Sequence, residues 1–252
     1  MLRLKNITIR FGGLTAVNDL NIEVQKGIIF GLIGPNGAGK TTVFNIVSGV
    51  YAPTSGKVLF EESDITGKKP NEINYHGIAR TYQNINLFNK LTVLENVVVG
   101  CHSQTTTNIW QAILNTPHKR NEEKERNEKC HDLLKYVNLD NKAQRLASSL
   151  SYGEQRRLEI ARALASEPKL LLLDEPAAGM NLTEKDELAE LISQIRNDGY
   201  TIFLVEHNMK LVMNICDEIC VISFGKKIAE GSPNYIQTHP EVITSYLGRG
   251  QA

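Results

Sequence analysis

The 252-residue chain carries 28 Lys plus Arg against 28 Asp plus Glu and is 41% hydrophobic, a balance that allows a substantial core and excludes a disordered chain or a small disulfide scaffold. A formal net charge of zero removes the broad electrostatic attraction of a general nucleic-acid binder, so nucleic acid is not an expected partner. The longest apolar run, Gly27 to Gly34 with its glycines counted, falls far short of the roughly 18 residues a spanning helix needs. The opening MLRLKNITIRF intersperses charge and lacks a secretory h-region, which points to the cytosol. Cys101, Cys130, Cys216 and Cys220 form no C-x-x-C pair, and free thiols are expected of them in a reducing compartment.

In chain order, Leu2, Leu4, Ile7 and Ile9, followed by Asn21 to Val24, read as half-buried strands, whereas Ile28 to Ile33 is apolar throughout, as a central covered strand is. Further strands are expected at Lys57 to Phe60, Leu170 to Leu173, Thr201 to Val205 and Ile219 to Ser223, with helical patterns between several of them. That alternation predicts an α/β fold. From about residue 84 to 165 strand signals disappear, and helices are expected at Val93 to Val99, Asn121 to Val137 and Gly153 to Ala165. The stretch reads as an inserted helical lobe in a core made of about residues 1–83 and 166–252. Lys119 to Lys129 is a mixed charge run whose Glu122–Arg126 and Glu125–Lys129 spacings suit a solvated helix face.

Gly34-Pro35-Asn36-Gly37-Ala38-Gly39-Lys40-Thr41 fits G-x-x-x-x-G-K-[ST] between an apolar strand and the helical pattern that opens with Thr41 and Thr42. Its glycines let successive backbone N–H groups turn inward around an anion, and the following helix aims its positive end at a phosphate. Lys40 suits the β- and γ-phosphates of a nucleotide, and the Thr41 hydroxyl suits Mg²⁺. Leu170 to Leu173 then ends in Asp174 and Glu175, the first placed for a metal and the second for a water-polarising base. Leu150-Ser151-Tyr152-Gly153-Glu154-Gln155 opens an amphipathic helix with a capping serine, a second helix N-terminus able to meet an anion.

The order of these segments, with Gln83 in Arg80-Thr81-Tyr82-Gln83 and His207 after Val205-Glu206, resembles the ATP-binding cassette (ABC) family along essentially the whole chain. The resemblance implies a P-loop NTPase fold of ABC type, with an antiparallel β subdomain and an inserted helical subdomain. It also implies ATP and Mg²⁺ as ligands and ATP hydrolysis as the activity. In this likeness Phe11 stacks on adenine with Val17 beside it, and residues Gly34 to Thr42 hold the phosphates. Asp174, Thr41 and Gln83 serve the metal, Glu175 is the base and His207 holds the γ-phosphate. Ser151, Gly153 and Glu154 meet the nucleotide of a second cassette. Tyr152 and Glu154 depart from the common LSGGQ pattern, and Asn181 stands where many cassettes carry aspartate.

Ser151 to Ile160, Asp174 to Asn181, Glu206 to Met213 and the ending Pro240 to Gly248 look more narrowly like ATP-binding subunits of branched-chain amino acid importers. Urea or amide importers and lipopolysaccharide exporters are similar in these regions, and a soluble cassette of iron-sulfur cluster assembly resembles the core motifs. The implied partners are membrane-spanning permease subunits and a second ATPase subunit, a heterodimer in preference to a homodimer. A periplasmic or extracellular substrate-binding protein would act indirectly. The location so implied is peripheral, on the cytoplasmic face of the membrane. The apolar Ile85, Leu87 and Phe88 next to Gln83 are the expected permease contact, with burial in the helical lobe as the competing reading. A GTPase is disfavoured, since Asn89-Lys90-Leu91-Thr92 lacks the aspartate of a base-reading N-K-x-D motif. Chromosome-maintenance cassettes are disfavoured too, because they insert long coiled coils between the two halves of the site.

Overall fold

The computed structural model describes residues 1–101 and 117–247; Gly248, at the end of the quoted C-terminal segment, lies outside the described residues, as does the side chain of Glu122. Two compact units emerge, one of residues 1–83 with 169–252 and one of residues 84–168.

In the first unit, β1 (Leu2–Phe11) and β2 (Leu14–Val24) form an antiparallel pair, extended by β4 (Ser55–Phe60) and the short β5 (Ser63–Asp64) in the order β2-β1-β4-β5. Leu2 and Leu4 share the buried face, but Ile7 lies an odd number of residues further on, so strict alternation would turn it to solvent. A register shift between Leu4 and Ile7, with Asn6 in the left-handed region at φ 51°, absorbs the extra residue and returns Ile7 to the core. β2 begins at Leu14, ahead of the Asn21 that its apolar tail suggests, because its first half is polar and half-buried and a second left-handed residue, Asp19, interrupts its period.

The second sheet runs β10-β9-β3-β8-β7-β6. β3 (Ile29–Ile33) lies between β8 (Thr201–Val205) and β9 (Glu218–Ser223), and β7 (Leu170–Asp174) lies between β8 and β6 (Ile78–Arg80), all parallel; only β10 (Lys226–Gly231) joins antiparallel at the edge. Every residue of β3, β7 and β8 is buried, which explains their continuous apolar runs. Helix α1 (Lys40–Val47) leaves β3 through the glycine-rich loop and presses Phe44 against Phe203, whose ring also meets Phe30 at 5.5 Å. α2 (Pro70–Tyr75) precedes β6. β6 and β10 escape sequence reading because one has three residues and the other is a charged edge.

The second unit contains α3 (Val93–Gly100), α4 (Pro117–Tyr136) and α5 (Tyr152–Leu164) and no strand among its described residues. α3 and α5 approach so closely that a Cβ at Gly100 would stand 2.1 Å from the Arg162 carbonyl oxygen. Arg156 and Glu159 form a fully buried pair on α5 at 2.7 Å. On α4, Lys129 pairs with Glu167 and Lys124 with Glu128, in place of the Glu125–Lys129 pair that spacing suggests. The first unit closes with α6 (Leu182–Asn197), α7 (Met209–Ile215), α8 (Pro233–Thr238) and α9 (Pro240–Leu247). Asn181 caps α6: its Oδ1 accepts the Glu184 N–H at 3.0 Å while Glu184 accepts the Asn181 N–H at 3.0 Å.

Candidate nucleotide site

The turn from β3 into α1 sits at the carboxyl ends of parallel strands, where open α/β sheets bind ligands. Gly39 holds φ 105° at the N-cap, and a Cβ there would meet the Ala16 carbonyl oxygen at 2.8 Å, so the loop needs glycine both for its turn and for its contact with β2. Lys40 folds back over the loop: its Nζ donates to the Gly34 carbonyl at 2.7 Å and to that of Pro35 at 3.2 Å. Burial pulls the Lys40 pKa below its ordinary value, opposed by the carboxylates of Glu175 and Asp174.

Around this loop lies an open cavity of about 460 Å³, bounded by the loop residues Asn36 to Thr42 and by Phe11, Gln83, Glu175 and Phe224. The strand ends supply the groups that sequence spacing had separated. Gln83 Nε2 donates to Glu175 Oε2 at 3.0 Å, and His207 Nδ1 stands 3.5 Å from the same oxygen. Glu175 itself occupies the left-handed region at φ 47°, anchored by its N–H to the Val205 carbonyl at 2.8 Å. A non-glycine residue in that conformation costs of order 1–3 kcal/mol and persists where surrounding structure imposes it, typically at functional sites. Thr41 is exposed and Thr42 half-buried, at the start of α1. Phe11 is 44% exposed and meets Tyr51 edge-on at 5.3 Å, leaving a ring face for stacking.

Val17 does not join this lining. Its side chain is fully buried in the core beneath β2, and Leu14, Thr15 and Ala16 line the cavity near Phe11 instead. The apolar character that made Val17 a plausible base contact is what turns it inward.

Ser151, Gly153 and Glu154 belong to the second unit. Ser151 caps α5, accepting the Glu154 N–H at 3.4 Å, which leaves its hydroxyl proton for another acceptor. Glu154 uses Oε2 to accept the Ser151 N–H at 3.0 Å and Oε1 to pair with Lys142. Both carboxylate oxygens are therefore engaged within its own unit, which suits Glu154 to shaping the helix start better than to meeting an anionic ligand. Desolvation opposes ionisation of Glu154, but Lys142 and the cap hold its pKa below the usual range.

Two groups carry more of the site than the sequence suggested. Arg80 Nη2 donates to Asp174 Oδ2 at 2.7 Å, while its Nη1 donates to Asn45 on α1 at 2.8 Å and to Ser48 at the C-cap of α1 at 2.7 Å. The guanidinium also lies over the rings of Phe44 and Tyr82 at 5.7 and 5.2 Å, so Asp174 is tied to the helix that follows the phosphate loop. Glu206, 1% exposed, accepts the N–H groups of Ala177 at 2.9 Å, His207 at 2.9 Å and Asn208 at 3.1 Å. It thereby ties the turn after Glu175 to the segment carrying His207. Its sequence signal was the one used for Asp174, an acidic residue ending a buried strand. Glu206→Ala orphans these buried donors and should lower unfolding free energy by about 2–4 kcal/mol in urea titration; unchanged stability would contradict this role.

The ABC transporter family matches residues 17–178, and a second family, the branched-chain amino acid ATP-binding cassette transporter, matches residues 226–252. The high-affinity branched-chain amino acid transport ATP-binding protein LivG of Escherichia coli (strain K12) is 45% identical over 249 residues, 98% of each chain. BraF of Pseudomonas aeruginosa, which carries the same description, is likewise 45% identical over 98% of each chain. Among solved structures, the chain is similar to an ATP-binding cassette of an ABC transporter in its ADP conformation, with a TM-score of 0.86, 32% identity and 98% coverage of both chains. A nucleotide-free cassette gives a TM-score of 0.85 at 32% identity, again over 98% of both chains. Agreement of sequence and fold along nearly the whole length places the phosphate loop and its surrounding strands in a known setting: this chain belongs to the ABC transporter family and is an ATP-binding subunit of it.

Proposed function

We propose that the chain hydrolyses Mg·ATP to drive import of branched-chain amino acids through membrane-spanning permease subunits. The observation that carries the hydrolytic part is the convergence of Gln83 and His207 on one oxygen of Glu175 beside the phosphate loop. The branched-chain part rests on the LivG and BraF relatives and on the C-terminal family match.

Loop N–H groups and the α1 N-terminus bind the phosphates. Lys40 exchanges its bonds to the Gly34 and Pro35 carbonyls for phosphate oxygens. Phe11 stacks on the base, and the Thr41 hydroxyl, Asp174 carboxylate and Gln83 amide offer the hard oxygens that fit Mg²⁺. Held by those groups, Mg²⁺ would supply positive charge to offset the negative charge of the phosphates during cleavage. Glu175 accepts a proton from the attacking water, while His207, exposed at the cavity mouth, holds the γ-phosphate. The bond to the γ-phosphorus breaks on the ADP side, and ADP and phosphate leave.

A second cassette, in a heterodimer, completes the site with its counterpart of Ser151 and Gly153, since the chain has one phosphate loop and one such helix start. No described helix is long and apolar enough to cross a membrane, and the proposed location is peripheral, on the cytoplasmic face, through the permease. For that contact, Leu87 is buried, Ile85 is half-buried and Phe88 is 49% exposed. Asn96 grips the Phe88 backbone, accepting its N–H at 2.9 Å and donating to its carbonyl at 3.2 Å. Phe88 is therefore the apolar contact on offer.

The test is ATPase activity of the chain reconstituted with permease, second cassette and a substrate-binding protein. Leucine, isoleucine or valine should stimulate turnover, and Phe88→Ala should cut the stimulated rate about tenfold or more, as loss of an aromatic anchor does. Nucleotide affinity of the isolated chain should stay within about twofold. Stimulation by another solute alone would overturn the substrate, and an equal loss of ATP affinity would assign Phe88 to the helical core.

A further inference from the structure

The helical unit holds two thiols that lie 29 positions apart in sequence, Cys101 at the C-cap of α3 and Cys130 on α4, with their sulfurs at 3.5 Å. Both are buried, Cys101 at 5% exposure and Cys130 at 0%. Cys101 Sγ also lies 3.9 Å from the Val97 carbonyl oxygen. Neither thiol is among the residues lining the cavity around the phosphate loop, and packing alone needs no sulfur at either position, since any small apolar side chain fills such space.

The pair is electrically asymmetric. The hydrogen bond from Cys130 pulls the Cys101 pKa down, aided by the positive charges of Lys129 and Arg126; the same bond, with burial, pushes Cys130 up. Of the two, Cys101 is the thiol whose ionisation its surroundings favour. Lys129 is itself paired with Glu167, so it acts as a fixed neighbour rather than a free cation. The other two cysteines lie in the α/β unit and are driven the opposite way: burial pushes Cys216 up to about 12 and Cys220 well above its ordinary value.

We propose that Cys101 and Cys130 are a hydrogen-peroxide-reactive dithiol that closes to an intramolecular disulfide between α3 and α4. The Cys101 thiolate attacks the O–O bond of the peroxide, giving a sulfenic acid on Cys101 and releasing hydroxide, which takes a proton to become water. Cys130 sulfur then attacks the Cys101 sulfur; the S–S bond forms as the S–OH bond breaks, and the hydroxyl leaves as water with the Cys130 proton. Two thiols lose two electrons, which reduce one peroxide to two waters. Forming the bond asks for an approach of about 1.5 Å from the present separation. Because α3 packs on α5 at Gly100, the bridge would stiffen the unit that carries Ser151.

The test uses the full chain, reduced, desalted and exposed to hydrogen peroxide, then alkylated and mapped as peptides without reductant. The expected product is a Cys101–Cys130 linked peptide, with two of the four thiols lost and restored by dithiothreitol. Cys101 should react at least about tenfold faster than Cys216, following thiolate character. In Cys130→Ser, the sulfenic acid on Cys101 should persist and be trapped by dimedone, a result that a merely packed thiol does not give. Oxidation of Cys216 or Cys220 at a comparable rate would overturn the proposal. So would progress of Cys101 to sulfinic acid in the wild-type chain without a linked peptide.

Discussion

Lys40→Ala should abolish measurable ATP turnover, a loss of about a thousandfold or more, with weaker ATP binding. Lys40 is 6% exposed, and its Nζ already spans the loop to two carbonyls, so its charge is held over the loop proposed to take the phosphates. Removing one preorganised donor from a developing anion costs about 10²–10³ in rate, and the loss of formal charge in a half-enclosed cavity adds to it. The loop itself is held by Gly39 against Ala16 and by the Gly225 N–H to the Ala38 carbonyl at 2.9 Å, so the variant should remain folded. Circular dichroism checks the fold and phosphate release checks turnover. Normal turnover in a folded Lys40→Ala protein would refute the placement of the phosphates.

Glu175→Gln should separate binding from cleavage. The amide keeps the size of the carboxylate and can still meet Gln83, while it cannot accept a proton from water. ATP should remain bound and its hydrolysis should slow by about 10²–10⁴-fold, the usual worth of a positioned general base. Single-turnover hydrolysis with labelled ATP measures the slow step directly. If ATP binding vanished and residual hydrolysis were unchanged, Glu175 would be a scaffold residue.

The α/β class was legible because β3, β7 and β8 are buried on both faces and so write unbroken apolar runs, and because the glycine-rich loop joins one of them to a helix. The helical pattern of residues 93–99 and 153–165 was legible for the matching reason, with observed helices at Val93–Gly100 and Tyr152–Leu164. What the sequence hid is what depends on register and on distant partners. The shift at Asn6 and the inward turn of Val17 follow from pairing across β1 and β2. Arg80 was visible beside Gln83, but its hold on Asp174 links residues 94 positions apart. Glu206 ends a buried strand as Asp174 does, but the backbone donors it accepts come from Ala177 as well as from the chain beside it. In the same way, Cys101 and Cys130 have no spacing signature, since only the packing of α3 on α4 brings them together.

In the proposed function this chain supplies one half of a composite ATP site, with the phosphate loop and Ser151 serving different nucleotides. Multi-angle light scattering of Glu175→Gln, alone and mixed with the related cassette, in Mg·ATP, tests it most directly, because blocked hydrolysis preserves the closed assembly. The expected result is an ATP-dependent dimer that forms with the related cassette, retains ATP, and is lost when Ser151 is replaced by Arg in this chain. A Glu175→Gln chain that stays monomeric with and without that cassette while holding ATP, or a monomeric wild-type chain with full ATPase activity, would contradict it.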